Sequence, residues 1–485
     1  MHRSRLILQA TAILLAVWPQ LAAGQSAKAM VTEYVEAHQD QYAQIAQEIW
    51  DLAEVGYLET ESSKLLQDQL LAEGFEVEAG VAGMPTAFVA SWGQGSPVIG
   101  ILAEYDALPG INQDRSPERS PRPGVGAGHA CGHHLFGSGS VAAAVAVKTW
   151  LEASGQAGTI RLYGTPAEEG GAGKVYVVRG GLLDDVDAVL HWHAGDSNDA
   201  SPGQSLANKS AKFRFYGTSA HAASAPDRGR SSLDGVEAMN HMVNMMREHV
   251  PEESRIHYVI TSGGSAPNVI PDFAEVYYYV RHPDSDQVAQ IFERVAQAAE
   301  GAALGTGTRM DYEVIHGIYA LLPNDLLAER LHANLLEVGG VHYDEAELQF
   351  ARVLKQSLPE DGLPLESAAE VQPFVMKAAG GSTDVGDVSW VVPTAGLSAA
   401  TWVPGTAAHS WQAVAAGGTS IGEKGMVVAA KTLAMTAVEL FQTPALLESA
   451  KEEYQGRVGP DFQYVSLVGD RDPPLDYRKP AAGSR

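Results

Sequence analysis

Apolar and polar positions along the chain follow two different periods, and the period changes from one segment to the next. Apolar residues three and four apart predict helices over 31–53, 60–73, 138–150, 323–338 and 423–441. Short runs rich in Val, Ile and Phe predict strands over 86–92, 97–104, 159–163 and 186–190. Because these strands alternate with helices, the pattern predicts a mostly parallel sheet with helices on both faces.

The order of elements changes in the middle of the chain. Strand, helix, strand, strand, helix and strand are predicted over 209–216, 231–249, 255–261, 273–281, 286–304 and 309–315. This β-α-β-β-α-β order is that of a ferredoxin-like module. We therefore predict a discontinuous α/β domain of residues 30–206 and 320–441, with residues 207–319 inserted as a second domain. The segment 442–485 shows little periodicity and is predicted to be an extended tail.

The first residues have the charged, apolar and small-residue order of a secretory signal peptide. Arg3 and Arg5 precede an apolar run over 6–17, and small residues follow. We predict a signal peptide over 1–29, cleaved near Gln25 or Met30, and hence a secreted or periplasmic protein. The alternative is a buried amphipathic helix. No later stretch of the sequence reaches the ~18 apolar residues that span a bilayer.

Net charge and cysteine content limit the partners and the kinds of site that the protein can have. The chain has 33 basic and 59 acidic residues, a formal charge of −26, which argues against nucleic acid as a partner. An acidic substrate would be repelled as well, so its pocket must supply positive charge from a metal or from arginine. The single cysteine, Cys131, excludes an intramolecular disulfide, and in an exported protein a metal bond is one explanation for it.

Four segments carry residues suited to metal-dependent hydrolysis. The sequence GHACGHH over 128–134 places a thiol and an imidazole two residues apart, which suits a zinc-like ion but is also compatible with a thiol nucleophile or a structural cysteine. The adjacent pair Glu168 and Glu169 follows a strand, so one carboxylate can bind metal and the other act as a base. His193 and His409 are each, taken alone, more often structural. Their convergence with the other two segments predicts a centre of two metal ions.

Competing catalytic signatures are weak in the sequence. There is no phosphate-binding Walker loop and no H-E-x-x-H helix. The glycines over 124–128 neither follow a strand nor open a long helix, which argues against dinucleotide binding.

These motifs together resemble the M20 family of metallopeptidases and amidohydrolases. The resemblance continues through SAHAA at 219–223, PNVIP at 267–271 and STDVGDVSW at 382–390, and it covers nearly the whole predicted mature chain. It implies a zinc-peptidase-like catalytic domain and an inserted domain that serves dimerisation or closes the site as a lid. It also implies a homodimer through the inserted domain, with a paralogous subunit as a possible partner.

The resemblance also implies a role for each candidate residue. Glu168 would be the general base and acid, and His221 would polarise the scissile carbonyl in the partner subunit's site. The substrate would meet Asn268 and Arg281, and Asp106 would orient a metal-binding histidine. The ligands of two divalent ions, Zn²⁺ with Mn²⁺ or Co²⁺ as alternatives, would be Cys131, His133, Glu169, His193 and His409.

Two histidines near these ligands in the sequence, His191 and His134, are not assigned as ligands. His191 is assigned to the surroundings of the ligands or to the core. His134 occupies a position where many amidohydrolase relatives carry Asp, and this departure puts the metal preference in doubt.

The expected reaction is hydrolysis of the amide bond of a small acidic N-acyl amino acid, with aminobenzoyl-glutamate as the first substrate to test. An aminoacylase, a hippurate hydrolase or a dipeptidase of the same family is the nearest alternative. A non-catalytic secreted binding protein on the same fold is a further one. The predicted export signal puts a cytosolic folate-catabolite role in doubt.

Overall fold

The computed structural model describes residues 26–359, 362–378 and 380–479. Residues 1–25 of the predicted signal peptide lie outside the described residues. No helix within the described part of the chain is both long enough and apolar enough to cross a membrane.

Helices and strands alternate through most of the chain, with short 3₁₀ turns at 81–83, 226–228, 247–249 and 365–369. The helices are α1 Ala27–Ala37, α2 Gln39–Leu52, α3 Thr60–Ala72, α4 His133–Ser154, α5 Gly173–Arg179, α6 Ser232–Met246, α7 Ser285–Thr306, α8 Asp325–Val338, α9 Glu345–Lys355, α10 Val385–Ser389, α11 Trp411–Gly417, α12 Ser420–Gln442 and α13 Pro444–Val458. The strands are β1 Glu76–Ala79, β2 Phe88–Gln94, β3 Val98–Ala103, β4 Leu108–Pro109, β5 Ala127–Gly128, β6 Gly158–Gly164, β7 Ala188–Gly195, β8 Ala207–Tyr216, β9 Arg255–Ser262, β10 Phe273–His282, β11 Arg309–Ile318 and β12 Thr394–Ala400.

The larger sheet has the strand order β1-β2-β6-β3-β7-β12. Strands β6, β3, β7 and β12 are parallel, and β1 and β2 add an antiparallel edge. Every residue of β3 is buried, as expected of a central strand covered on both faces. The long helices α4 and α12 are apolar over most of their surface and are buried within the same core. The predicted mixed α/β fold is confirmed.

The inserted segment folds as a separate antiparallel sheet of order β11-β8-β10-β9. Its strand β10 buries every second residue, which is the pattern of a sheet with one covered face. Helices α6 and α7 supply that cover and complete a hydrophobic core of their own. The element order is the β-α-β-β-α-β order that the sequence predicts.

Two predicted elements are wrong in detail. The single helix predicted over 31–53 is two helices, because the chain breaks at His38, whose ring Nδ1 lies 2.8 Å from the Tyr34 carbonyl and ends α1. The tail predicted to be extended from residue 442 begins with α13, a helix whose residues Leu447 and Ala450 are buried. Within the described part of the predicted tail, only residues 459–479 have no regular helix or strand.

Candidate active site

The segment that carries Cys131 and His133 is held by a close approach to strand β7. Gly132 has φ +77° and precedes the first residue of α4, so His133 lies at a helix N-terminus. A Cβ atom at Gly132 would lie 2.3 Å from the Cβ of Ala194. Only glycine fits this position, and it brings the thiol to the strand that carries His193.

The Glu168–Glu169 pair lies in the turn that follows β6. Ala167 has φ +58°, a left-handed conformation that is costly for a non-glycine residue. The buried carboxylate of Glu59 accepts a hydrogen bond from the Ala167 amide at 2.8 Å and holds this conformation. Glu169 is fixed from the other side, because its own amide donates to Asp106 Oδ2 at 3.0 Å.

The candidate ligand atoms converge from four separate segments. Cys131, His133 and His193 offer atoms within 4.8 Å of one another, and so do Cys131, Glu169 and His409. Cys131 Sγ lies 3.4 Å from His193 Nε2, and His409 Nε2 lies 3.2 Å from Glu169 Oε1. These two overlapping groups contain all five residues predicted as ligands, and Cys131 belongs to both.

The donor set suits divalent cations of the zinc type. Sulfur, imidazole nitrogen and carboxylate oxygen are the atoms that such ions bind. His133 Nε2 and Glu169 Oε1 are both buried, and neither makes a well-aligned hydrogen bond among the described residues, although Glu104 Oε2 lies 3.1 Å from the first and His409 Nε2 lies 3.2 Å from the second. Buried polar atoms without well-aligned partners are unfavourable, and cations bound by the two ligand groups would satisfy both. The residues present therefore fit a metal centre.

Asp106 lies behind His133 rather than among the ligand atoms. Its Oδ1 lies 2.9 Å from His133 Nδ1, so it accepts the proton of that nitrogen and leaves Nε2 facing the centre. Burial lowers the pKa of His133, but Glu104, Cys131 and Asp106 outweigh it and raise the pKa well above its usual value. This contact has the geometry by which carboxylates orient metal-binding histidines.

A buried charge cluster next to the candidate ligands was not predicted. Lys174 is completely buried, and its Nζ lies 2.6 Å from Glu104 Oε1 and 2.7 Å from Asp384 Oδ1. The other oxygen of Glu104 lies 3.1 Å from His133 Nε2. The signal in the sequence is a lysine directly after the glycine-rich turn, at the start of the mostly apolar run 175–178.

Glu168 has the environment of a proton-transfer group. Burial, together with the nearby carboxylates of Glu104 and Glu169, raises the pKa of Glu168 well above its usual value. Burial also raises the pKa of the Cys131 thiol. A thiol with a raised pKa is a poor nucleophile unless a cation stabilises the thiolate, so the environment of Cys131 does not favour the nucleophile alternative.

His134 and His191 are not among the grouped candidate ligand atoms of the described residues. His134 Nε2 lies 2.9 Å from the Gly417 carbonyl, and burial lowers its pKa well below the usual value. His191 packs against Gly396 of the neighbouring strand, where a Cβ atom would lie 2.3 Å from its ring. Strand β7 is longer than predicted, so both His191 and His193 lie within it and not beyond its end.

Residues of the inserted module divide into two groups. Arg281, on β10, lines the cavity above the ligand cluster, and its Nη1 donates to Ser382 Oγ at 3.3 Å. His221 and Asn268 lie together on the module, where the Ala222 amide donates to the Asn268 carbonyl at 3.0 Å. Neither of these two lines that cavity in the described part of the chain.

The cavity above the ligand cluster has a volume of about 580 Å³ and is built from both sheets. Its walls also include Arg478 from the C-terminal tail, a residue that the sequence analysis did not predict to be part of the site. It is lined by Cys131, Glu168, Glu169, Gly170, His193, Asn208, Tyr279, Arg281, His316, Ile318, Gly381, Ser382, Thr383, Ala408, His409 and Arg478.

Comparison with known proteins defines the class. The model of the peptidase family M20/M25/M40 matches residues 100–357, and the chain belongs to this family. It is therefore a hydrolase that acts on amide bonds, as predicted.

One relative is similar along nearly its whole length. The chain is 41% identical over 453 residues to one of the two p-aminobenzoyl-glutamate hydrolase subunits of Escherichia coli strain K12, covering 88% of this chain and 94% of that protein. Within this family, the motifs of the sequence predict a likeness to aminobenzoyl-glutamate utilization protein B, and this match confirms that prediction.

Two further similar proteins are a dipeptidase and a solved structure with the same fold. The chain is 29% identical to the mouse Xaa-Arg dipeptidase over 444 residues, covering 88% of this chain and 92% of that protein. A Bacillus subtilis protein described as a dinuclear metal binding peptidase from the M20 family shares the fold. That match has a TM-score of 0.57 and 19% identity, and it covers 84% of this chain and 99% of that one.

Proposed function

We propose that the protein is a metal-dependent amidohydrolase that cleaves the amide bond of small acidic N-acyl amino acids, with p-aminobenzoyl-glutamate as the first candidate. The observation that carries this proposal is the convergence of Cys131, His133, Glu169, His193 and His409 below a cavity that also contains Glu168 and Arg281. The similarity to the Escherichia coli p-aminobenzoyl-glutamate hydrolase supports the choice of substrate.

In the proposed mechanism the five ligands hold two divalent ions, most simply Zn²⁺. Such ions, when bound, polarise the substrate carbonyl and acidify water. Glu168 takes the proton of the attacking water and delivers it to the leaving amine, and its buried carboxylate is suited to both steps. Asp106 keeps His133 in the tautomer that directs Nε2 to the centre.

The oxyanion that develops at the carbonyl needs a hydrogen-bond donor, and we assign this role to His221 of the partner subunit. The amides of Ala223 and Ser224 each lie 3.2 Å from His221 Nδ1, which must therefore accept. The proton of the neutral ring is then on Nε2, where the exposed side chain can donate it. His221 does not line its own chain's cavity, which supports a role in the site of a second subunit.

Strand β9 is the edge that we propose joins two copies of the inserted module. It is the outermost strand of its sheet, and Val259 and Ile260 are 56% and 41% exposed. An open strand edge with apolar side chains is a ready surface for pairing across a two-fold axis. The Escherichia coli relative is one of two different subunits of its enzyme, which supports a multi-subunit assembly with a paralogous chain as an alternative to a second copy.

Replacing His221 with alanine should leave the metal content unchanged and lower kcat by about 10²–10³-fold, the usual effect of removing one oxyanion donor. Mixing His221→Ala with Glu168→Gln under subunit exchange should restore part of the activity. One hybrid site then has both an intact Glu168 and the intact His221 of its partner. Turnover and metal content are measured before and after exchange.

A matched control mixes Glu168→Gln with Glu169→Gln. Both substitutions damage the site of their own subunit, so no hybrid site is intact and no activity should return. If exchange is verified for His221→Ala with Glu168→Gln and that mixture also stays inactive, His221 does not act across the interface.

Export remains our proposal for the location of the protein, on the signal-peptide pattern over 1–29. Helix α1 begins at Ala27, and Lys28 Nζ donates to Asn334 Oδ1 at 2.7 Å. Lys28 is thus packed against the folded chain, which favours cleavage near Gln25 over cleavage near Met30. N-terminal sequencing of the protein purified from its native host tests this.

The nearest alternative specificities are those of an aminoacylase, a hippurate hydrolase or a dipeptidase. The similarity to the mouse Xaa-Arg dipeptidase keeps a dipeptide substrate open. A panel of acyl-glutamates, acyl-alanines, hippurate and dipeptides, assayed with the metal-loaded protein, separates them. The proposal expects the acyl-glutamates to have the highest kcat/KM, and a preference for uncharged acyl amino acids or for dipeptides would overturn it.

A further inference from the structure

The C-terminal tail, residues 459–479, is bound to the rest of the protein along its length. Tyr464 Oη donates to Asp387 Oδ1 at 2.6 Å, and Tyr319 Oη donates to the Val465 carbonyl at 2.9 Å. Val468 is buried in the core of the larger sheet. The tail is therefore a fixed part of the fold.

Arg471 anchors the tail to both halves of the molecule. Its guanidinium lies 2.7 Å from Glu313 Oε1 and donates to the Ile315 carbonyl at 3.1 Å, both on strand β11 of the inserted module. Its own carbonyl accepts a hydrogen bond of 2.6 Å from Arg179 on α5 of the larger domain. The following residues are thus directed into the cleft between the two sheets.

Tyr477 fixes the last turn of the tail beside the ligand cluster. Its hydroxyl donates to the Glu169 carbonyl at 3.2 Å, and its ring packs edge-on against Tyr57 with centroids 5.8 Å apart. Gly56 makes room for it, since a Cβ atom there would lie 2.3 Å from the Tyr477 hydroxyl. The position of Tyr477 places the next residue, Arg478, at the cavity.

Arg478 brings a positive charge without a carboxylate partner among the described residues. Its Nη2 donates to the Glu169 carbonyl, and its Nε is buried without a hydrogen-bond partner. Arg281 lines the same cavity and also has no carboxylate partner among the described residues. Its Nε is buried without a hydrogen-bond partner, and its Nη1 donates only to the neutral Ser382. Two guanidinium groups from different parts of the chain therefore face one cavity of about 580 Å³.

An unpaired guanidinium in a cavity is suited to bind a carboxylate through two parallel hydrogen bonds. The cavity also contains Glu168 and Glu169, and the chain carries a net charge of −26, so an anionic substrate needs local compensation. One arginine compensates one carboxylate. The pair of Arg281 and Arg478 matches a substrate with two.

We propose that Arg478 of the C-terminal tail is a substrate-binding residue, and that it and Arg281 each bind one carboxylate of an N-acylated dicarboxylic amino acid. This inference rests on the proposed amidohydrolase function and narrows its substrate class. The tail thereby sets specificity, because it supplies the second of the two positive charges.

Three substrates test the proposal: p-aminobenzoyl-glutamate and its two monoamides, in which either the α- or the γ-carboxylate is a neutral amide. Arg478→Gln should lower kcat/KM by about 10–100-fold for the diacid and for the monoamide that keeps the carboxylate bound by Arg478. It should leave the other monoamide unchanged. Arg281→Gln should show the complementary pattern, and Arg478→Lys should recover part of the loss because it keeps the charge.

The matched control is Lys479→Gln, which removes the same charge from the next, exposed residue of the tail and should change none of the three values. Metal content and the thermal unfolding midpoint of each variant are measured alongside. An equal loss on all three substrates would show that Arg478 only supports the Glu169 backbone, and no loss on any of them would show that it does not bind substrate; either result would overturn the proposal. A wild-type protein that cleaves none of the three would instead overturn the proposed function itself.

Discussion

Substituting Glu168 with glutamine is expected to lower kcat by about 10²–10⁴-fold while the metal content stays near that of the wild type. Glutamine keeps the size of the side chain but cannot take a proton from water or return one to the leaving amine. The measurement is kcat with p-aminobenzoyl-glutamate, together with metal analysis by mass spectrometry. Single-turnover kinetics at saturating substrate separate the chemical step from product release.

Glu169→Gln provides the matched control, since it makes the same chemical change one residue away. Glu169 Oε1 lies 3.2 Å from His409 Nε2 among the candidate ligands, so this variant should lose metal as well as activity. Glu168→Gln protein that keeps substantial turnover would remove Glu168 from its assigned role. If both variants kept metal and turnover, the two carboxylates would be no more than an acidic turn.

Substituting Lys174 with methionine is expected to destabilise the metal-loaded protein by about 3–5 kcal/mol, the usual cost of removing one partner from a buried ion pair. Lys174 is completely buried, and its removal leaves Glu104 and Asp384 without their counter-charge. Methionine fills most of the volume, so the loss is mainly electrostatic. Denaturant unfolding followed by fluorescence measures it.

The effect of Lys174→Met should depend on pH. Burial tends to raise the pKa of Glu104, but Lys174 and His133 outweigh it, so the pKa of this carboxyl is lowered in the native protein. Without Lys174 the folded-state pKa of Glu104 rises above its unfolded value. A carboxyl with a raised folded pKa favours folding at low pH and loses that contribution as pH rises. The destabilisation should therefore be smaller at acid than at neutral pH.

Lys64→Met is the control for that experiment. Lys64 pairs with Asp68 on the exposed face of α3, where solvent screens the interaction. This variant should unfold at nearly the wild-type denaturant concentration at every pH. A Lys174→Met protein that behaves like it would mean that the buried cluster contributes little net stability.

Local sequence patterns were sufficient to predict the element order of the inserted module and most of the residues that could carry chemistry at the cavity. The reason is that both depend on short-range signals: alternating apolar positions in β10, and glycine-flanked motifs such as the one around Cys131. Periodicity also identified most of the long helices. It did not find the break at His38, because the apolar pattern continues across this residue; the backbone amide and the ring Nδ1 of His38 both contact the Tyr34 carbonyl there.

Long-range contacts account for the features that were missed. Lys174 is recognisable as a buried charge only when Glu104 and Asp384 are seen beside it, and these three residues come from widely separated segments. Arg478 follows a stretch with little periodicity, and its position depends on Arg471, Tyr477 and the space left by Gly56. Helix α13 has polar residues on most of its surface, so its apolar face is too narrow to stand out in the sequence.

In the proposed function, hydrolysis depends on metal held by Cys131 and the four other ligands. The most direct test is to remove metal with a chelator, add back Zn²⁺, Mn²⁺ or Co²⁺ in steps, and follow turnover and bound metal together, with Cys131→Ser measured in parallel. We expect chelation to abolish turnover, re-addition to restore it as about two ions bind, and Cys131→Ser to bind metal much more weakly, since a hydroxyl is a poor substitute for a thiolate. Full activity after complete removal of metal, with inactivation by thiol alkylation instead, would contradict this claim and make Cys131 the nucleophile.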